Sequence, residues 1–395
     1  MKIIMSPAHF VWGKNIWWSE QSRSYEISFR IANHFNDSTI VTWSVIWDTQ
    51  NKHIITLRKQ AIIDWSLMSS FQFMIQYSFK NMWLLLRNKT DIVHHILPFS
   101  IKSTFFWYPL NWAKLIIWPI QDPLTYFDED KAKFISKWGK YTYQNIMKYI
   151  YTFFHQLIIY FHKKTLSRAA HLVCINQEAK KQLLNLWVSA SKISIIPPWI
   201  DSQLYQQRIF SNNWIIKMVT ISYLIRRKSI ETILYALQSI VKKWITNFQY
   251  SIYWDWPEKD SLQKYVQELW LKDYVTFKWY IEHDEIYTIY KQYDVFISMS
   301  KSDSFAMVSL EAAVSWLIII SSKIGHFKEM IRDWENWFLV EVWDTDWLRE
   351  KLVYTIQNFQ KIQKIWTTLR NEALLYDWEK YIIPQYIDIY KSLIQ

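Results

Sequence analysis

Two carboxylates with seven residues between them, Asp303 and Glu311 in the string SDSFAMVSLEAAV, stand where a strand-like run gives way to a helix-like one. Open α/β folds bind small molecules at the carboxyl edge of the sheet, so acids at such a junction can accept hydrogen bonds from a polar ligand. They can equally be a solvated surface. A second junction, ISYLIRRKS over 221–229, gathers Arg226, Arg227 and Lys228 at a helix start. In a third, DIVHHILP over 91–98, a strand-like run ends in His94 and His95, and a histidine at a strand end is often structural. The single cysteine, Cys174, excludes an intramolecular disulfide, fits a reducing compartment and reads as a buried strand residue. No spacing of His, Cys and acids has the form of a zinc site, and no metal is expected.

The elements that must position these groups alternate. In the second half, strand-like KMVTIS (217–222) precedes helix-like SIETILYALQSIVKK (229–243), followed by FQYSIYW (248–254), a helix from about Lys259 to Leu269, and VTFKW (275–279). Then come EIYTIYKQY, DVFISMS (294–300), VSLEAAV (308–314) and LIIISS (317–322). Short β-branched runs between amphipathic helices make a parallel sheet covered by helices. The first half opens alike, with KIIMS, a loop and a helix over 19–35; strands near 92–96, 114–118, 171–175 and 193–196 would complete a second such domain. At 395 residues the chain suits two domains. Two prolines in IIPPWID (195–201) mark the boundary. We therefore expect domains over 1–198 and 199–375, with a last helix over 376–395. The basic aromatic stretch 141–166 reads either as a helix on the sheet or as an interfacial membrane contact.

Charge divides the chain. Residues 1–200 carry 23 Lys+Arg against 11 Asp+Glu, and the remainder 23 against 24, so the first half faces something anionic. Nucleic acid finds no support in a zinc spacing, an RNP-like aromatic motif or a long basic run. An anionic membrane or a phosphorylated acceptor remains. The first apolar run is too short for a signal peptide, and no stretch of 18 uncharged apolar residues follows, so a cytoplasmic location is expected.

The composition holds an anomaly: 26 Trp and 3 Gly, where ordinary usage gives Gly roughly 7%, or about 28 residues. The largest side chain does not drift into the place of the smallest at twenty packed sites together. A codon would do it. If UGA encodes glycine in the source and is written here as tryptophan, each such codon appears as Trp.

Reading Trp as Gly turns IPPWID into IPPGID, YWDWPE (253–258) into YGDGPE, ELWL into ELGL, KWY into KGY and WENWFLV (334–340) into GENGFLV. With SDSFAMVSLEAAVSWL (302–317), these strings resemble in order and spacing the retaining family 4 glycosyltransferases, strongly over 195–345 and more weakly over 1–195. Turns and phosphate-facing loops need a residue without Cβ, which is why glycine belongs there. YDWEKYI (376–382) resembles the start of the family's final helix, so Trp378 reads as genuine.

The resemblance implies the GT-B fold, two doubly wound Rossmann-like domains facing a cleft, and a site. By it, Glu311 holds the ribose of a nucleotide-diphosphate sugar and Asp303, shorter than the family's usual Glu, contacts the transferred sugar beside Ser304 and Phe305. Lys228 matches the family lysine that meets the diphosphate. Tyr223 stands where the family has Arg, Ser222 and Ser229 where it has Gly, and Arg227 or Arg226 would supply the missing charge. His94, with His95 the alternative, would face the sugar. VWGKNIWWSEQ (11–21) becomes a Gly-rich loop in which Gly13, Trp17 and Trp18 approach phosphate, and LIIWPIQDP (115–123) resembles another family loop.

The implied activity is retaining hexosyl transfer to a lipid-linked or glycan acceptor, without cofactor or metal. Two other readings stay open. A nucleotide-sugar epimerase shares the architecture but needs no separate acceptor. A Trp-rich carbohydrate- or membrane-surface-binding protein would use its rings as stacking platforms, on one face.

Overall fold

Parallel pairing joins the short β-branched runs of the first half into one sheet. The computed structural model describes residues 3–6, 10–11, 28, 30–35, 38–42, 44–45, 54–56, 90–95, 113–120, 160 and 162–205, and then 215–395 except 223, 254–258, 280, 282–284, 304–306, 326–330 and 337. The chain divides into two compact units, Met1–Pro197 with Ile383–Gln395, and Pro198–Ile382. The helix-forming end of the chain thus belongs to the first unit only from Ile383.

In that unit the strands are β1 (Ile3–Ser6), β2 (Phe10–Val11), β3 (Ser38–Thr42), β4 (Ser44–Val45), β5 (Ile54–Thr56), β6 (Ile92–His95), β7 (Lys114–Ile120), β8 (His171–Cys174) and β9 (Ile193–Ile195). Seven form a sheet in the order β5-β3-β1-β6-β7-β8-β9, and β2 pairs with β4. Helix α1 (Gln177–Asn185) links β8 to β9 and is capped by Asn176, whose Oδ1 accepts from Ala179 N at 2.8 Å. Of the expected helix 19–35, residues 28 and 30–35 are described, with 28 and 30–33 helical; of the stretch 141–166, residues 160 and 162–166 are described and helical.

The second unit runs β10 (Ile216–Ile221), α2 (Ile230–Val241), β11 (Phe248–Tyr253), α3 (Lys259–Glu268), β12 (Val275–Lys278), α4 (Ile286–Tyr290), β13 (Val295–Ser298), α5 (Met307–Val314), β14 (Ile318–Ser322), β15 (Phe338–Val340), α6 (Thr345–Asn358) and α7 (Gln363–Ala373). Its sheet is parallel in the order β12-β11-β10-β13-β14-β15. The order reverses between β10 and β13. Both faces of this sheet are covered, so β13 and β14 are buried at every residue, as continuous apolar strands of parallel sheets should be. Helix α2 turns Ile230, Ile233, Leu234, Leu237 and Ile240 onto the sheet at helical spacing and joins Met218, Tyr250, Ile252, Val295, Ile297 and Ile320 in one core.

Strands β3, β5 and β15 went unexpected. Three to five residues are too few to establish a period of two against their surroundings. The last helix, expected from 376, starts as a regular α-helix only at Ile383: a 3₁₀ turn (Leu374–Tyr376) and a π turn (Trp378–Ile382) precede α8 (Ile383–Ile394). Pro384 has no N–H to give to the carbonyl four residues back, so it fits the first turn of a new helix but not the middle of a longer one.

Backbone conformation sorts the tryptophans. Among the described residues seven non-glycine positions have φ between 52° and 74°, and six are Trp187, Trp244, Trp270, Trp316, Trp334 and Trp343. Four of them end helices in the same way. Trp187 N donates to Leu184 O and Val188 N to Leu183 O, and the pattern repeats for Trp244 and Ile245, Trp270 and Leu271, and Trp316 and Leu317. This is the Schellman termination, whose left-handed residue is usually glycine. Trp334 and Trp343 are the third residues of turns closed by Glu335 N to Arg332 O and Asp344 N to Glu341 O, again a position that favours glycine.

Candidate functional site

The end of β10 and the end of β13 lie side by side where the strand order reverses, so the loops that leave them meet. After β10 the chain forms a 3₁₀ turn, Arg226–Lys228, then Ser229 in the left-handed region, then α2. After β13 it runs through Ser300 to Asp303 and into α5. A backbone bond from Lys301 N to Arg227 O, 2.8 Å, fastens one loop to the other.

The side chains follow. Lys228 Nζ donates to Asp303 Oδ2 at 2.6 Å, and Arg227 Nη1 lies 3.6 Å from the same oxygen while donating to the Ser302 carbonyl. Lys228 and Asp303 are 12% and 17% exposed, so the pair is largely sheltered from solvent screening. Lys301 Nζ lies 3.6 Å from Glu231 on the first turn of α2. Two cations just before the start of a helix make an environment for an anion such as phosphate.

Glu311 is on α5, 3% exposed, with Oε2 3.5 Å from the Tyr290 hydroxyl. A carboxylate in so dry a place gains more from each hydrogen bond than an exposed one, and loses more without it. Sequence reading gave Tyr290 no role. It lies 21 positions before Glu311 on another helix, and only the fold joins them.

His94 is placed differently from its expected role. The ring is fully buried, with Nδ1 hydrogen-bonded to the Tyr390 hydroxyl and the ring tilted against Tyr386 and edge-on to Tyr390 of α8. In this structure it packs the last helix onto β6. Successive strand residues point to opposite faces, which separates His95 from it. Burial first, and then the neighbouring His95 and His171, hold the His94 pKa well below its ordinary 6.5. The unfolded chain therefore binds a proton that the folded chain refuses, and stability is full above pH 6.5 and falls as pH drops below it. We expect the melting temperature of the protein to decline from about pH 7 to about pH 5, and His94→Gln to flatten that decline. Parallel profiles for the two proteins would rule His94 out as the source; His171, also shifted down by burial, is the control.

Ser304, Phe305, Gly13, Trp17, Trp18 and Tyr223 lie outside the described residues. Among the described residues no group of three or more His, Cys, Asp or Glu is arranged to hold a metal, and no helix is long and apolar enough to cross a membrane. Cys174 is buried in β8, and burial raises its thiol to about 12, so it is an inert core residue.

Residues 205–366 match the family described as "Glycosyl transferases group 1". The chain is similar to a subunit of human phosphatidylinositol N-acetylglucosaminyltransferase, 23% identical over 41% of this chain and 33% of that protein. It is also similar to N-acetyl-alpha-D-glucosaminyl L-malate synthase of Bacillus anthracis, 23% identical over 36% of each. The matched part spans about a third of the length of these relatives. Among solved structures it resembles a sucrose-phosphate synthase from Thermosynechococcus elongatus, with TM-score 0.73 and 16% identity over 100% and 99% of the two chains. It also resembles Anabaena HepE in complex with UDP, with TM-score 0.69 and 15% identity over 99% and 100%. These likenesses agree with the two sheets: the fold is the two-domain α/β GT-B fold with Rossmann-like units.

Proposed function

We propose that the protein is a glycosyltransferase that moves a hexosyl unit, with retention of configuration, from a nucleotide-diphosphate sugar to a lipid-linked or glycan acceptor. The observation that carries this reading is the meeting of Arg227, Lys228 and Asp303 at the reversal of strand order, inside the segment that matches the group 1 family. Lys228 and Arg227 take the diphosphate, on which negative charge grows as the glycosidic bond breaks. Glu311 accepts from the ribose hydroxyls and Asp303 from a hydroxyl of the sugar. Departure of the nucleotide and attack of the acceptor then occur on the same face of the sugar. Cations and backbone dipoles balance the leaving group, so the proposal needs no metal or cofactor. The basic first half supplies the acceptor side, facing an anionic lipid or phosphorylated glycan at the cytoplasmic surface.

We also propose that tryptophan at the left-handed positions stands for glycine encoded by UGA. Support comes from Trp270, Trp316 and Trp334, which the sequence strings picked out and which have φ of 58°, 68° and 69°. Trp187, Trp244 and Trp343 join them on backbone grounds alone. Trp254, Trp256 and Trp337 lie outside the described residues. Trp199 has no left-handed backbone and stacks on the buried Trp378 at 5.1 Å, so its codon decides.

Glu311→Ala tests the donor assignment. A hydrogen bond to a charged group is worth roughly 1.5–3 kcal/mol, so the variant should bind a UDP- or GDP-sugar about 10- to 150-fold more weakly. Titration calorimetry on the glycine-restored chain reads this, and unchanged affinity for every nucleotide sugar would remove Glu311 from the site. Free UDP formed with no acceptor-linked sugar would favour an epimerase instead.

A further inference from the structure

We propose that Tyr290 is a positioning residue for donor binding, fixing the first turns of α5 and through them the Glu311 carboxylate. The proposal rests on the reading that Glu311 meets the donor. Tyr290 closes the short helix α4 and is fully buried, its ring edge-on to Phe296 of β13 at 6.2 Å. Its hydroxyl donates to the Val308 carbonyl at 2.9 Å and lies 3.5 Å from Glu311 Oε2. Val308 and Glu311 are three residues apart, one above the other on the same helical face. One hydroxyl therefore touches both the backbone of that turn and the carboxylate it carries.

A phenol has a single proton to give. The shorter contact, to Val308, takes it. Burial raises the Tyr290 pKa well above its ordinary value, with the Glu311 charge and then Tyr205 adding to the effect, so the phenol stays a donor at neutral pH. Phe296 packs the ring against the strand whose following loop carries Asp303, so Tyr290 ties the start of α5 to β13.

The test is a double-mutant cycle in the full glycine-restored chain, with UDP and GDP as probes. Tyr290→Phe should weaken binding of the preferred nucleotide about three- to ten-fold, the range expected for one buried hydroxyl, with little change in melting temperature. In a Glu311→Ala background the same change should have no further effect, because a residue that acts through Glu311 has nothing left to position. Equal losses in both backgrounds, or none in either, would overturn the proposal. If Glu311→Ala alone leaves binding intact, the assignment of Glu311 fails first, and that arm reads it separately. Should the Tyr290→Phe chain fail to fold, 3-fluorotyrosine in place of Tyr290 keeps the hydroxyl: its fluorine resonance should move on addition of UDP or GDP and stay still in Glu311→Ala. A resonance equally responsive in both would also refute it.

Discussion

Protein carrying Trp187→Gly, Trp244→Gly, Trp270→Gly, Trp316→Gly, Trp334→Gly and Trp343→Gly should fold cooperatively, and the chain with tryptophan at those positions should be insoluble or only marginally folded. A residue with Cβ in the left-handed region costs about 1–2 kcal/mol, and six such residues roughly 6–12, as much as the whole stability of an ordinary domain, about 5–15 kcal/mol. Exposure adds a second cost to three of them, since Trp187, Trp244 and Trp270 are 94%, 91% and 85% exposed and present apolar surface to other molecules. The two effects can be separated. Alanine at the same six positions removes the indoles but keeps Cβ, so only the conformational cost survives in the alanine chain. We expect the melting temperatures to rise from tryptophan to alanine to glycine, with the last step worth about 1–2 kcal/mol per site. Equal stability of the alanine and glycine chains would mean the left-handed backbone does not need glycine. Peptide masses of the native protein showing tryptophan at all six positions would refute the codon proposal directly.

The second large effect is on turnover. Lys228→Ala should lower kcat by about 10²–10³, the usual loss when one preorganised group that stabilises a developing negative charge is removed, and should change substrate binding less. The distinction is physical: attraction to the diphosphate grows as the leaving group gains charge, so most of it is felt in the transition state. The ion pair at 2.6 Å adds a test of opposite signs. In the ligand-free protein Asp303 competes with an incoming diphosphate for Lys228. Asp303→Asn should therefore bind UDP or GDP more tightly, by about five-fold if the pair is worth about 1 kcal/mol, yet transfer sugar more slowly because the sugar loses its charged partner. A variant weaker in both respects would show that Asp303 supports the loop and does not face the sugar. Unchanged turnover in both Lys228→Ala and Asp303→Asn would exclude this edge of the sheet as the site.

The sequence by itself determined the alternation of strands and helices in the second half, because β-branched runs and helical spacing are local signals that burial reinforces. It also determined the spacing of Asp303 and Glu311, the basic helix start at Lys228, and the anomaly of tryptophan against glycine. The order of strands was beyond it, and with that order the meeting of Lys228 with Asp303, 75 positions away, since pairing of distant strands depends on topology and not on neighbours in sequence. His94 shows the same limit. Its string marks a strand end, but only the packing of α8, nearly 300 positions later, gives its ring Tyr390 as a partner. The tryptophans divide along this line too. Turn strings singled out Trp270, Trp316 and Trp334, while Trp187, Trp244 and Trp343 needed the observed sign of φ, because a helix ends where tertiary packing lets it, and the residue that must turn left-handed is fixed only then.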